Sequence, residues 1–196
     1  SRLKPLVATA ALSFAALSAH AQENVRWGIP MAFGANLIGL GDTMPWVSEQ
    51  LKKVSGGTIN LQVFEPGKLV PALGIFDAVA SGKVEAGYSF MGYEVGKVPV
   101  SAIFGALPFG METPQYAAWI YYGGGDALLK EAYKAHNVYP IFCGSISPEA
   151  AGWFKKEIKT PEDLKGMKFR AAALGGKIYQ KLGASVTMLP GGELFQ

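Results

Sequence analysis

The chain has 196 residues, of which 49% are hydrophobic and 17% charged. That composition is too apolar and too lightly charged for intrinsic disorder, and the length suits one or two domains with a sizeable buried core. A single cysteine, Cys143, excludes a disulfide scaffold. A formal net charge of +3, with no cluster of Lys and Arg, excludes a basic nucleic-acid-binding stripe.

In chain order, residues 1–21 read as a secretory signal. Arg2 and Lys4 form a short basic region, Leu6 to Leu17 is an apolar run, and Ala19-His20-Ala21 is a small-x-small site before Gln22. The run is shorter than the ~20 residues a membrane span needs. Cleavage after Ala21 removes two of the three positive charges in the net balance, so the basicity says nothing about a partner. Val98 to Met111, the most apolar later stretch, is also too short and carries Pro99 and Pro108.

Asn24 to Ile29 predicts a strand, followed by a Gly-rich loop containing Phe33 and Asn36. Asp42 or Thr43 is placed to cap a helix bearing Met44, Val47, Leu51 and Val54 on one face, stopped by Gly56-Gly57. Thr58 to Phe64 alternates as a half-buried strand. Leu69, Leu73, Phe76 and Ala80 mark a helix ended by Gly82, and Glu85 to Met91 predicts a third strand. This β-α-β-α-β order implies a parallel α/β sheet, whose ligands bind beyond the carboxyl ends of the strands. Helices follow over 114–122 and 127–135, then an apolar strand over Val138 to Cys143. Thr160-Pro161-Glu162-Asp163 opens a helical turn, Lys168 to Ala172 is a short strand, Leu174 to Leu182 a helix, and Ser185 to Leu189 another strand. The expected organisation is a signal over 1–21, a first α/β lobe over 22–144, and an incomplete second lobe over 145–196. The missing initiator Met and the arrest at Phe195-Gln196 suggest a fragment at both ends.

Catalytic signatures are thin. Beyond the signal there is one histidine, His136, in a polar helix-end stretch, and Cys143 reads as a buried thiol in a strand. Gly87-Tyr88-Ser89-Phe90-Met91 lacks the second glycine of a nucleophile elbow. Gly175-Gly176-Lys177-Ile178 lacks the spacing and hydroxyl of a phosphate loop, and Gly39-Leu40-Gly41 lacks the third glycine of a dinucleotide loop. Glu162-Asp163 sits in a helix first turn, where carboxylates suit the dipole.

Only Arg26 and Arg170 remain as arginines once the signal is removed. Arg170 lies in a short strand, on the face opposite Phe169, and Ala171-Ala172-Ala173 leave room beside it. Its rigid fork matches a carboxylate, although an ordinary surface arginine fits the pattern equally well.

Several blocks then run in register with a known family. They are Phe64-Glu65-Pro66-Gly67 with Leu69 to Glu85, Tyr93-Glu94-Val95-Gly96-Lys97, Pro108-Phe109-Gly110, and Gly152 to Ile158 followed by Asp163 to Arg170. Over residues 24–196 the chain resembles the solute-binding (DctP-type) receptors of tripartite ATP-independent periplasmic (TRAP) transporters, in particular those that bind 2-oxo acids. The resemblance implies an α/β, periplasmic-binding-protein (type II-like) fold, with two lobes hinged about a ligand cleft and the second lobe truncated. It implies a periplasmic receptor, not an enzyme, that hands a small organic carboxylate to membrane permease subunits. Arg170 matches the arginine that holds the ligand carboxylate, and Tyr93 an aromatic that lines the cleft. Glu149 stands where relatives carry a Gln, so it calls for a cation such as sodium, or a proton, beside an anionic ligand, or turns to Arg170 in the empty protein. Phe33 and Asn36 are further candidates, and Trp153 is either a core anchor or a ligand contact. No organic cofactor is implied, and a homodimer is left open. The competing readings are a receptor for another transporter or a sensor, and an enzyme on the same fold.

Overall fold

The computed structural model describes residues 24–194. The signal expected over 1–21 lies outside them.

Strand β1 (Val25–Pro30) pairs in parallel with β2 (Ile59–Phe64), in a register running from Val25 opposite Ile59 to Pro30 opposite Phe64. Parallel neighbours need a crossover, which helix α1 (Thr43–Val54) supplies. Met44 and Val47 of α1 pack on Ile29, Met31, Leu61 and Val63, joining helix to sheet through one apolar face. Val54, expected on that face, lies at the helix end and is exposed. The expected cap is also absent. Asp42 instead accepts from the Gly39 amide at 2.7 Å, and the Thr43 hydroxyl donates to the Gly39 carbonyl at 3.1 Å, so both side chains brace the preceding turn.

The helix expected from Leu69 is shortened. Pro71 keeps the chain extended (ψ 144°), a 3-10 turn covers Ala72–Gly74, and α2 is only Ile75–Ala80. A proline has no N–H to donate and disfavours helix in the residue before it. The third strand contracts to a single parallel bridge, Met31 to Tyr88. The Tyr88 amide donates to the Pro30 carbonyl at 3.0 Å, and the Ala32 amide to the Tyr88 carbonyl at 2.9 Å. Two features limit this strand: Gly87 offers no side chain to pack, and the backbone coils into a 3-10 turn at Met91–Tyr93.

Helices α3 (Ser101–Phe104), α4 (Thr113–Tyr122) and α5 (Gly125–Lys134) follow. Gly124, at φ 85°, makes the left-handed turn between the last two. Phe76, Val98, Phe104, Ile120, Leu129 and Tyr133 form their common core. Between Lys134 and Pro161 there is no helix or strand. The strand expected over Val138 to Cys143 has no pairing among the described residues. Pro140 cannot donate to a ladder, and Cys143, expected to be buried, is exposed.

A second parallel pair is made by β3 (Lys168–Arg170) and β4 (Ser185–Thr187), in register from Lys168 opposite Ser185 to Arg170 opposite Thr187. Helix α6 (Ala173–Lys181) connects them. Phe169 faces this helix, 4.5 Å from the Tyr179 ring centroid, and stacks on Phe154 at 5.2 Å. Val95 and Ala102 from the first part meet Ala173 and Leu174 from the second in a small apolar cluster. That contact sets the 3-10 turn at Met91–Tyr93 opposite the start of α6.

Candidate functional site

A cleft of about 260 Å³ runs between these two segments. Tyr93, Val95 and Gly96 line one side, and Ala172, Lys177 and Gln180 the other. A larger hollow, about 530 Å³, lies beneath residues 151–158 against Leu164 and Tyr179, and none of the six candidate residues borders it.

Arg170 ends β3 on the face away from Phe169. Leaving the sheet after Thr187, the chain presents the Leu189 carbonyl to this side chain. Arg170 Nε and Nη2 donate to that oxygen at 3.0 and 2.7 Å. A guanidinium has five N–H groups. One edge of the fork is therefore held by the backbone, and the opposite edge makes no further hydrogen bond among the described residues.

Two residues beyond Leu189, the Gly191 amide donates to the Tyr93 hydroxyl at 3.2 Å. The Tyr93 ring lies 6.2 Å from Phe33, and 5.3 Å from Phe90 in an edge contact. Phe33 is buried, packed with Val70, Ile75 and Val84. A Cβ at Gly191 would stand 3.9 Å from the Phe33 ring. The stretch Leu189–Gly191 thus gathers Arg170, Tyr93 and Phe33 into one place, although they come from three separate parts of the chain.

Asn36, Glu149 and Trp153 are not drawn in. All three are exposed, and none hydrogen-bonds to Arg170 or Tyr93 among the described residues. Asn36 folds back over Gly34, whose Cβ, if present, would come within 2.7 Å of its side-chain oxygen. Trp153 is 94% exposed and packs in no core cluster among the described residues. Glu149 makes no contact with Arg170. As a cation ligand it supplies hard oxygens, but no group of three or more His, Cys, Asp or Glu assembles among the described residues. These residues do not by themselves make a cation site.

Two residues that sequence reasoning did not single out lie directly behind Tyr93. The Glu94 carboxylate is buried and accepts from the Tyr133 hydroxyl at 2.5 Å. Burial pushes its pKa up to about 7, against the opposing pull of the Tyr133 hydrogen bond and the Lys97 charge. Burial and the adjacent Glu94 charge raise the Tyr133 phenol far above its ordinary range. The two are 39 positions apart, a separation with no sequence signature.

Two parallel β-α-β units meet at a cleft that Tyr93 lines, while Arg170 and Phe33 lie outside its lining and are linked to Tyr93 through the Leu189–Gly191 stretch. The family model for bacterial extracellular solute-binding protein, family 7 (DctP) matches residues 41–196. The chain belongs to that family. It is 39% identical over 172 residues to the monocarboxylate 2-oxoacid-binding periplasmic protein of Nostoc sp., covering 88% of this chain and 47% of the relative. A TRAP transporter solute-binding protein from Bordetella bronchiseptica, a mixed-occupancy dimer with calcium and picolinate in one active site, superposes with a TM-score of 0.84 at 31% identity. The alignment spans 88% of this chain and 52% of that one. A TRAP periplasmic solute-binding protein from Pseudoalteromonas atlantica, with bound sodium and pyruvate, gives 0.78 at 37% identity, spanning 88% and 53%. The chain therefore has the TRAP receptor fold of the two-lobe, type II-like class, and spans about half the length of these relatives. In both solved structures a cation accompanies the carboxylate.

Proposed function

We propose that the protein is the extracytoplasmic receptor of a TRAP transporter and captures a small monocarboxylate of the 2-oxo acid class. It releases the ligand unchanged to membrane permease subunits. Export with removal of residues 1–21, and lobes divided near residue 144, belong to the same reading. Support comes from the relatives that bind 2-oxo acids, pyruvate or picolinate. The observation that carries it is Arg170, with one edge of its guanidinium anchored on the Leu189 carbonyl and the other edge open.

The ligand carboxylate takes the outer edge of the fork in two charge-assisted hydrogen bonds. The Leu189 carbonyl holds the guanidinium plane fixed, so less side-chain freedom is lost on binding. Tyr93 and Phe33 wall the site with aromatic surface that excludes water and strengthens the ion pair. Glu149, Asn36 and Trp153 reach the ligand only after a further closing movement, in which both lobes touch it and the closed state gains population.

Titration calorimetry of the full-length protein with pyruvate tests the reading. Arg170→Ala is expected to weaken binding by roughly a hundredfold, about 3 kcal/mol. Unchanged affinity removes Arg170 from the site.

A further inference from the structure

The residue after the cleft tyrosine points the opposite way. Glu94 sends its carboxylate into the core shared by α2, α3 and α5, where it meets the Tyr133 hydroxyl. Its backbone is tied just as firmly. The Glu94 amide donates to the Met91 carbonyl and closes the turn that carries Tyr93, while the Glu94 carbonyl accepts from both Lys97 and Val98. Lys97 in turn pairs with Asp77 of α2 at 2.5 Å. The 91–98 segment, one wall of the cleft, is thus bolted to α5 through Glu94 and to α2 through Lys97.

From this geometry we propose that Glu94 and Tyr133 are a buried positioning pair for the ligand site. Their hydrogen bond holds the Tyr93 turn where its hydroxyl meets the Gly191 amide, and so sets how the two halves of the site come together. The inference rests on the receptor reading above for its link to ligand affinity, but the Tyr93–Gly191 contact can be followed without any ligand.

The pair is sensitive to protonation. Tyr133 from α5, Lys97 from its own segment and Asp77 from α2 are the polar groups that act on Glu94, and Ser101 from α3 lies beside Tyr133. Lys97 is engaged by Asp77, and the buried Ser101 hydroxyl has no hydrogen-bond partner among the described residues. When Glu94 ionises, with a pKa near 7, its charge has a single hydroxyl donor and a shared lysine to offset desolvation. Loosening the turn admits water to the carboxylate. Above neutral pH the Tyr93–Gly191 contact therefore weakens.

The experiment uses the full-length protein. Hydrogen exchange at the Gly191 amide is measured without ligand from pH 5 to 8.5, corrected for intrinsic exchange, alongside the Kd for pyruvate. Wild type is expected to lose about tenfold in Gly191 protection as pH rises through 7. Tyr133→Phe, which keeps the ring packed on Phe76 and removes only the donor, is expected to show low protection throughout and a roughly threefold to fivefold weaker Kd. Glu94→Gln keeps an acceptor for Tyr133 and cannot ionise, so its protection should stay high at every pH. Protection at Gly191 that is the same in all three proteins overturns the proposal, as does a Glu94→Gln profile that falls like wild type. If Tyr133→Phe fails to fold, the Glu94→Gln profile decides alone. If wild type ignores pyruvate while Gly191 protection behaves as expected, the ligand assignment fails and the positioning pair stands.

Discussion

At the scale of single residues, the site is a matter of which edge of a side chain is already in use. Arg170 commits Nε and one Nη2 proton to a backbone carbonyl, and three N–H donors remain, two of which, one on each Nη, form a planar pair at fixed spacing. A lysine keeps the charge and loses the plane. Arg170→Lys is therefore expected to bind pyruvate better than Arg170→Ala and at least tenfold worse than wild type, as read by calorimetry. Equal affinities for wild type and the Arg170→Lys variant would show that charge alone holds the ligand. Tyr93→Phe makes a milder test. It keeps the ring beside Phe33 and Phe90 but leaves the Gly191 amide without its acceptor, and losing one such bond costs about 1 kcal/mol. A roughly fivefold rise in Kd is expected, with the melting temperature little changed. The arginine was legible in the sequence because arginines are scarce and this one precedes three alanines. Its tie to Leu189 was not legible, since it depends on where the chain turns after β4.

At the scale of elements, local signals worked where the chain decides its own conformation and failed where a partner decides it. The first β-α-β crossover, α4, α5 and the β3-α6-β4 crossover follow from apolar spacing and glycine stops. The strand expected over 85–91 did not, because pairing needs a ladder and only Tyr88 finds one. Residues 138–143 have a strand's composition and no pairing among the described residues. Pro71 truncated a helix whose apolar spacing alone would have carried it from Leu69. Glycine stops are the strongest of these signals, and Gly82 isolates the effect. It ends α2 at φ 71° with nothing within 4 Å of where a Cβ would stand. An alanine there meets no clash and incurs only the left-handed backbone penalty. Gly82→Ala is expected to cost about 1 kcal/mol in urea unfolding, with an unchanged m-value and unchanged ligand affinity. A cost near zero would mean that the α2 terminus can relax to another turn.

At the scale of the whole molecule, two α/β units are joined by few contacts, chiefly Val95 and Ala102 against Ala173 and Leu174, together with the Tyr93–Gly191 hydrogen bond. This seam is thin and apolar. A buried carboxylate one residue from that seam makes the stability of the first unit depend on pH. Glu94 has a folded pKa near 7 against an ordinary value of 4.5. Between those values the folded protein holds a proton that the unfolded chain has released, so stability falls as pH rises. The contribution is fully present below about pH 4.5, is lost progressively up to about pH 7, and is flat above. Across that window the shift corresponds to about 3 kcal/mol. Glu94→Gln has no proton to lose and is expected to lack this decline. The measurement is the urea midpoint of the full-length protein at pH 5 and pH 8. Wild type should drop relative to Glu94→Gln by a margin approaching that value, with other titrating groups cancelling in the comparison. Parallel pH profiles for the two proteins would show that Glu94 ionises at no cost, and that the core behind Tyr93 admits water in the native state.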